Sequence, residues 1–479
     1  MRSGWTARLD FVALIALFAW ILWIPLPFGS NVPGAWVPLL AVPFAVCAVA
    51  AICRLVVHAS GFGPVTRAWT CWTAGAGALI LFGVAQLLPL PPGLLRFASW
   101  QSHDLWVTAA RVGHTFGVDM PRWFPITVDP TATSAEVLRI AGLAAAFIAA
   151  SLLVRGEARR VSLAAVLCVS AVFQVGYGVR EVALQRYEIW GWRNVLVNYR
   201  VTGTFVNPNH FAHYLSIALP MALFLIAVAW RRSGTGSASL KRRMMTLVER
   251  HSLWVGLSVL AALAIVAAVL LSRSRGSAVA LAVALAATMA LLSRRVGARI
   301  AYAGVAGAML VLVLVLYLGG GRTVDRFRPT PGDQSFGGRR AGVIAAFGVW
   351  QRFPLFGSGL GTFQSVVTMA QEENEILYHR AHNDYAELVA TAGAVGALPP
   401  LTLLIVGIRA MVLMTVGRQA SQISWKRRAF QIAALTSLLT AMVHALFDFN
   451  FFIPANPATL AVILGAAAAP LTYDTRSRR

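Results

Sequence analysis

Residues 253–293 read LWVGLSVLAALAIVAAVLLSRSRGSAVALAVALAATMALLS. Two apolar runs, 253–272 and 276–293, flank a minimal polar connection that carries Arg273 and Arg275. Each run is long enough to cross about 30 Å of hydrocarbon as a helix, so this stretch reads as a membrane hairpin with two cations at its tip.

The same pattern repeats along the chain. Of 479 residues, 58% are hydrophobic and 12% charged, against about one-quarter charged in soluble domains. Comparable runs fall near 9–28, 34–57, 70–91, 136–154, 160–182, 209–230, 300–318, 385–415, 429–449 and 455–473. The expected fold is an all-α polytopic membrane protein of about twelve transmembrane helices, divided into 1–318, a large loop 319–384 and 385–479. The first run follows Arg2 and Arg8, but no small-x-small cleavage site comes after it, so it reads as a retained helix. Cys47, Cys53, Cys71 and Cys168 all fall in spans without metal-knuckle spacing, which argues against disulfides and zinc.

The net charge of +23 has a topological explanation that a nucleic-acid partner does not match. Basic residues cluster in alternate connections: Arg155, Arg159 and Arg160; Arg231 to Arg250; Arg294, Arg295 and Arg299; Arg418 to Arg428; and the tail Arg476, Arg478 and Arg479. The only lysines, Lys241 and Lys426, share that side. By the positive-inside rule these connections and both termini are expected to be cytoplasmic.

The opposite side holds three long connections, 92–135, 183–208 and 319–384, the last expected to contain short surface helices. Long loops in compact proteins are usually functional. Arginines gather here against the topological bias, including Arg200, Arg322, Arg326, Arg328, Arg339 and Arg380. A guanidinium at the membrane boundary needs an anionic partner, and its fork suits phosphate. Arg273 and Arg275 are the clearest case. The acidic run Glu372, Glu373 and Glu375 reads as a solvated loop face. Asn207, Asn209, His210 and His213 stand at the entrance of a span, where Asn207 before Pro208 has the form of a helix cap. No carboxylate lies near His210 and His213 in sequence, which weakens them as a metal site.

The longest loop ends in HNDYAE (382–387). His382 at that helix start has three readings: a cap, a surface residue, or a general base. Glu387, one turn in, orients His382 or binds a sugar. Gly393 and Gly396 allow close packing. His444 and Asp448, near the outer end of the span 429–449, read as an i, i+4 pair on the helix surface or as part of an acceptor site.

Four segments in order resemble one family. They are RVTGTFVNPNHFAHYL (200–215), SRSRGSAVALAV (272–283), PLFGSGLGTF (354–363), and His382-Asn383 followed after nine residues by Gly393-x-x-Gly396. This is similar to the bacterial O-antigen ligases and related polysaccharide polymerases, which belong to the membrane glycosyltransferases of the GT-C type. The resemblance implies a large periplasmic loop and an inverting, metal-independent transferase without cofactors. It would take a glycan from undecaprenyl diphosphate and join it to an acceptor hydroxyl. It further implies that Arg200 and Arg275, with Arg273 as the alternative in the same turn, bind the diphosphate, and that His382 removes the acceptor's proton. Asn383, Glu387, Asn207, Asn209, His210 and Arg380 are weaker candidates for holding glycan or acceptor. The His-Asn spacing and the size of the last loop favour a ligase acting on lipid A–core over a polymerase. A lipid-linked glycan transporter is the alternative from another class; it would place ionisable residues and broken helices at mid-membrane.

Overall fold

Hydrocarbon offers backbone amides no partner, so apolar segments that enter it form helices, whose hydrogen bonds are internal. The computed structural model describes residues 4–57, 65–194, 199–232, 240–296, 334–371, 379–417 and 423–470. Its helices are α1 (Gly4–Trp23), α2 (Trp36–Val57), α3 (Arg67–Leu87), α4 (Pro92–Ala98), α5 (Trp100–Thr115), α6 (Pro130–Leu153), α7 (Glu157–Ala183), α8 (Pro208–Arg232), α9 (Leu240–Leu271), α10 (Arg275–Val296), α11 (Gln334–Arg352), α12 (Asp384–Val416), α13 (Trp425–His444) and α14 (Ala455–Ala468). Strand pairing among the described residues is limited to a hairpin of β1 (Glu188–Ile189) with β2 (Trp192–Arg193) and one bridge between Leu90 and Phe124.

Among the described residues nine helices are long and apolar enough to span a membrane: α1, α2, α3, α6, α7, α8, α9, α10 and α12. The protein is thus an all-α polytopic membrane protein. The span expected at 300–318 lies outside the described residues, as do Arg299, Arg322, Arg326, Arg328, the acidic run 372–375, Arg418 and the tail arginines. The last two expected spans correspond to α13, of 20 residues, and α14, of 14. Helix α8 lies at the centre, with 78% of its apolar window buried inside the protein, whereas α3 and α12 bury 22% of theirs and expose apolar flanks suited to lipid.

The eleventh span ends earlier than its hydropathy suggests. Helix α13 stops at His444, and the Ala445 carbonyl accepts a hydrogen bond from the Asp384 amide (2.9 Å). Residues 445–454 become a loop, so His444 and Asp448 are not the helix-surface pair their spacing suggests.

Helix α12 is broken at Gly393, where φ is +63°. A Cβ there would collide with the Leu355 carbonyl. The amides of Ala394 and Val395 donate to Pro354 O and Leu355 O (both 2.9 Å), and the amides of Ser358 and Gly359 donate to Ala390 O and Thr391 O (3.3 and 3.0 Å). The segment 354–361 therefore folds back against the helix and supplies the partners that the break removes. Gln86 of α3, itself buried, fastens this junction through Nε2 to Phe356 O (2.7 Å) and Thr391 O (3.1 Å), and through Oε1 from the Leu360 amide (2.9 Å). Gly393 thus serves backbone packing, as expected, whereas Gly396 instead faces the ring of Phe82.

At one end of the bundle Arg159 pairs with Asp10 (2.7 Å), Lys426 with Glu157 (2.8 Å), and Arg427 donates to Ala469 O (2.6 Å). The 20 residues of α13 put about 30 Å between that group and His444 at the other end.

Candidate active site

Asp448, only 1% exposed, is the hub of the second end. Its Oδ1 accepts from the Phe449 amide (3.0 Å) and from His382 Nδ1 (3.2 Å), and its Oδ2 accepts from Asn209 Nδ2 (2.9 Å). His210 Nε2 stands 3.7 Å from Oδ1 and Arg339 Nη2, on α11, 3.6 Å from Oδ2. The Phe449 ring packs edge-on against both His210 and His382, at 4.7 and 4.9 Å between centroids. The carboxylate that His210 lacks in local sequence therefore arrives from the far end of the chain.

Burial alone would push the Asp448 carboxyl up, but the His210 and His382 imidazoles and the Arg339 cation outweigh it and hold the group well below the ordinary carboxylate range. An ionised carboxylate only accepts hydrogen bonds. In the neutral imidazole Nδ1 of His382 then carries the proton, and Nε2 keeps its lone pair. His382 holds a left-handed backbone (φ +52°) and keeps 29% of its side chain exposed. Histidine is among the residues that adopt this conformation more often.

The backbone on both sides of His382 is fixed by its neighbours. Asn383 caps α12, accepting from the amides of Tyr385 and Ala386 (both 3.0 Å) and donating to Leu446 O (3.1 Å). Glu387, fully buried, accepts from the Ala381 amide (3.0 Å) and pairs with Arg380 (2.8 Å), whose guanidinium lies 3.8 Å above the Phe452 ring. Glu387 acts on His382 through the backbone, one residue removed. Asn207 is the cap of α8, accepting from the Asn209 amide (2.8 Å).

The diphosphate candidates occupy the same end. Arg275 is the half-buried first residue of α10, and Arg273 is exposed in the turn before it, with φ +55°. The first turn of α10 is held to the hub: Ser277 Oγ lies 3.1 Å from His444 Nε2 and donates to Asn209 O (3.4 Å). His444 in turn pairs through Nδ1 with Asn450 and stacks on His213 at 4.8 Å. Arg200 is half-buried on the segment leading into α8, beside Val201, which packs against Gly178 of α7. His382, His210 and Asn209 thus converge on one carboxylate, Arg275 heads a helix tied to that cluster, and Arg380, Asn383, Glu387 and Asn207 hold the framework. Among the described residues no group of three or more His, Cys, Asp or Glu is arranged to hold a metal ion.

From the sequence, Asp448 is expected only in a helix pair or an acceptor site with His444, not as the partner of His382; Arg339 stands only among the outer arginines, and the Glu136–Arg139 pair of α6, in which Arg139 donates to Phe451 O, is not singled out. The available signal was DFNFF (448–452), an acidic residue set among aromatics where a span was expected to continue.

Among curated proteins none matches the chain. Residues 259–401 match the family model of O-antigen ligase. That region contains three of the four resembling segments, including His382 and Arg275, and leaves 200–215 outside it. Over this stretch the chain is thus similar to the O-antigen ligase family, which supports the resemblance to O-antigen ligases and polysaccharide polymerases.

Proposed function

We propose that this protein is a periplasm-facing glycosyltransferase of the bacterial inner membrane that moves a glycan from undecaprenyl diphosphate to an acceptor sugar, with O-antigen ligation to lipid A–core as the preferred reaction. The observation that carries this reading is His382 held by a buried, ionised Asp448, beside the helix that Arg275 opens.

In this reaction Nε2 of His382 takes the proton of the acceptor hydroxyl while its oxygen attacks the anomeric carbon from the face opposite the diphosphate. The new C–O bond forms as the bond from the anomeric carbon to the phosphate oxygen breaks, with inversion. The electron pair leaves on undecaprenyl diphosphate, and the guanidiniums of Arg275 and Arg200 stabilise that charge. Diphosphate is a good leaving group already, so cationic side chains suffice without a metal. The donor's own glycosyl phosphate bond supplies the driving force, and no nucleotide is needed.

The break in α12 is a feature of transporters, yet here the segment 354–361 satisfies it and the ionisable cluster lies at one end of the bundle. Purified protein in detergent, given a lipid-linked glycan with either lipid A–core or a second lipid-linked glycan, tests the reading. Joined product with lipid A–core supports a ligase, and product only with the second lipid-linked glycan assigns a polymerase. No joined product with either acceptor contradicts an enzyme.

A further inference from the structure

Helix α13 has two differently occupied faces. Thr436 meets Thr288 of α10 (3.0 Å), Ser437 donates to Ile217 O of α8 (2.8 Å), and His444 meets Ser277 of α10 (3.1 Å). The other face, marked by Leu438 and Met442, lines a cavity of about 360 Å³ whose further walls come from α3, α6, α12 and α14, from Leu360 and Gly361, and from the loop after α13. The cavity and the arginine that opens α10 therefore lie on opposite sides of one helix.

The cavity is apolar along the membrane-spanning stretch, through residues such as Leu143, Leu401 and Leu464, and polar at the end nearest the hub, where Glu136, Arg139 and Asp384 line it. Of the Asp384 carboxyl oxygens, Oδ1 is buried without a hydrogen-bond partner among the described residues, while Oδ2 accepts from the Phe451 amide (3.3 Å). A buried acceptor left unpaired is costly, and a ligand that donates a hydrogen bond relieves it. The loop 445–454 joins the two sites: Asp448 orients His382, and Phe451 and Phe452 line the cavity.

We infer that this cavity holds one hydrocarbon chain of the acceptor glycolipid, with a hydroxyl or amide of the lipid's polar end donating to Asp384. This rests on the transferase reading above and adds that acceptor and donor enter from opposite sides of α13. The placement explains how two membrane-bound substrates reach one histidine without competing for the same groove.

The test uses the purified full-length protein and two readouts. A dodecyl maltoside bearing a diazirine in its alkyl chain should label the walls contributed by α3, α6 and α14, and Ala461→Phe, or the milder Ala144→Leu if the first variant fails to accumulate, should abolish that labelling. In transfer assays the same variant should raise the KM for the lipid-borne acceptor about tenfold, as expected for excluding about two methylenes from an apolar site, and leave the donor KM unchanged. An unchanged acceptor KM, or an equal rise for the donor, overturns the assignment. Absence of label in the cavity of the unmodified protein overturns it too. If the unmodified protein labels there but joins no glycan, the transferase reading fails and this assignment fails with it, whereas normal transfer without label removes the cavity assignment alone.

Discussion

His382 Nδ1 and Asp448 Oδ1 stand 3.2 Å apart although 66 residues separate them in the chain. The contact sets the tautomer of the imidazole. Replacing Asp448 by Asn keeps the shape but allows the amide to donate to Nδ1, which moves the proton to Nε2 and removes the base. Transfer by Asp448→Asn should fall by up to about 10⁴-fold, the loss seen when the orienting carboxylate of a catalytic triad is amidated. Steady-state rates normalised to the amount of purified protein measure it, and a loss below about threefold would show that the carboxylate does not set the tautomer.

The same carboxylate gives a signed pH dependence. Its folded pKa lies well below the ordinary value, so its stabilising contribution is present above about pH 4, the unfolded value, and is lost only as pH falls through the lower folded value. Melting temperatures of the parent and Asp448→Asn should therefore differ near pH 5 and converge in stronger acid. A gap that widens on acidification would reverse the assigned direction.

Gly393 and Gln86 test the broken helix. Gly393→Ala forces a Cβ into the Leu355 carbonyl at a left-handed backbone position, and should destabilise by about 1–3 kcal/mol. Gln86→Leu strands the groups that its amide serves, at about 1–3 kcal/mol for each unsatisfied buried group. Gly34→Ala, where an added Cβ meets nothing within 4 Å, should stay within about 0.5 kcal/mol. Thermal unfolding in detergent separates the three, and equal melting points would deny the junction its role.

Arg275→Lys asks whether the fork of the guanidinium matters. A point charge cannot reproduce two parallel hydrogen bonds to phosphate, so donor turnover should drop at least about tenfold, while Arg273→Lys, in the exposed turn, should stay within about threefold. A reversed order would move the phosphate ligand to Arg273.

Much of this was legible in residue order because membrane solvent leaves few choices. The nine apolar helices follow from run length, and His382 with Asn383 was visible because an asparagine before an apolar run caps a helix, as Asn383 does. Asp448 was hidden for the opposite reason: the apolar tract from Phe430 continues through Phe449 with few interruptions. Distant partners, among them the Asp384 amide on Ala445 O and the Asn383 side chain on Leu446 O, draw the chain into a loop there. The break at Gly393 was also hidden, since it requires the segment 354–361 to supply its hydrogen bonds. Glu136 and Arg139 read as the edge of a span, and only the folded chain shows them against Phe451 and Phe452.

The central claim is that one imidazole removes the acceptor proton. Single-turnover transfer from a lipid-linked glycan, measured for His382→Ala that inserts and accumulates like the parent, addresses it most directly. Retained donor binding and no joined product above background are expected. Product formed within a few-fold of the parent rate would show that His382 is not the base.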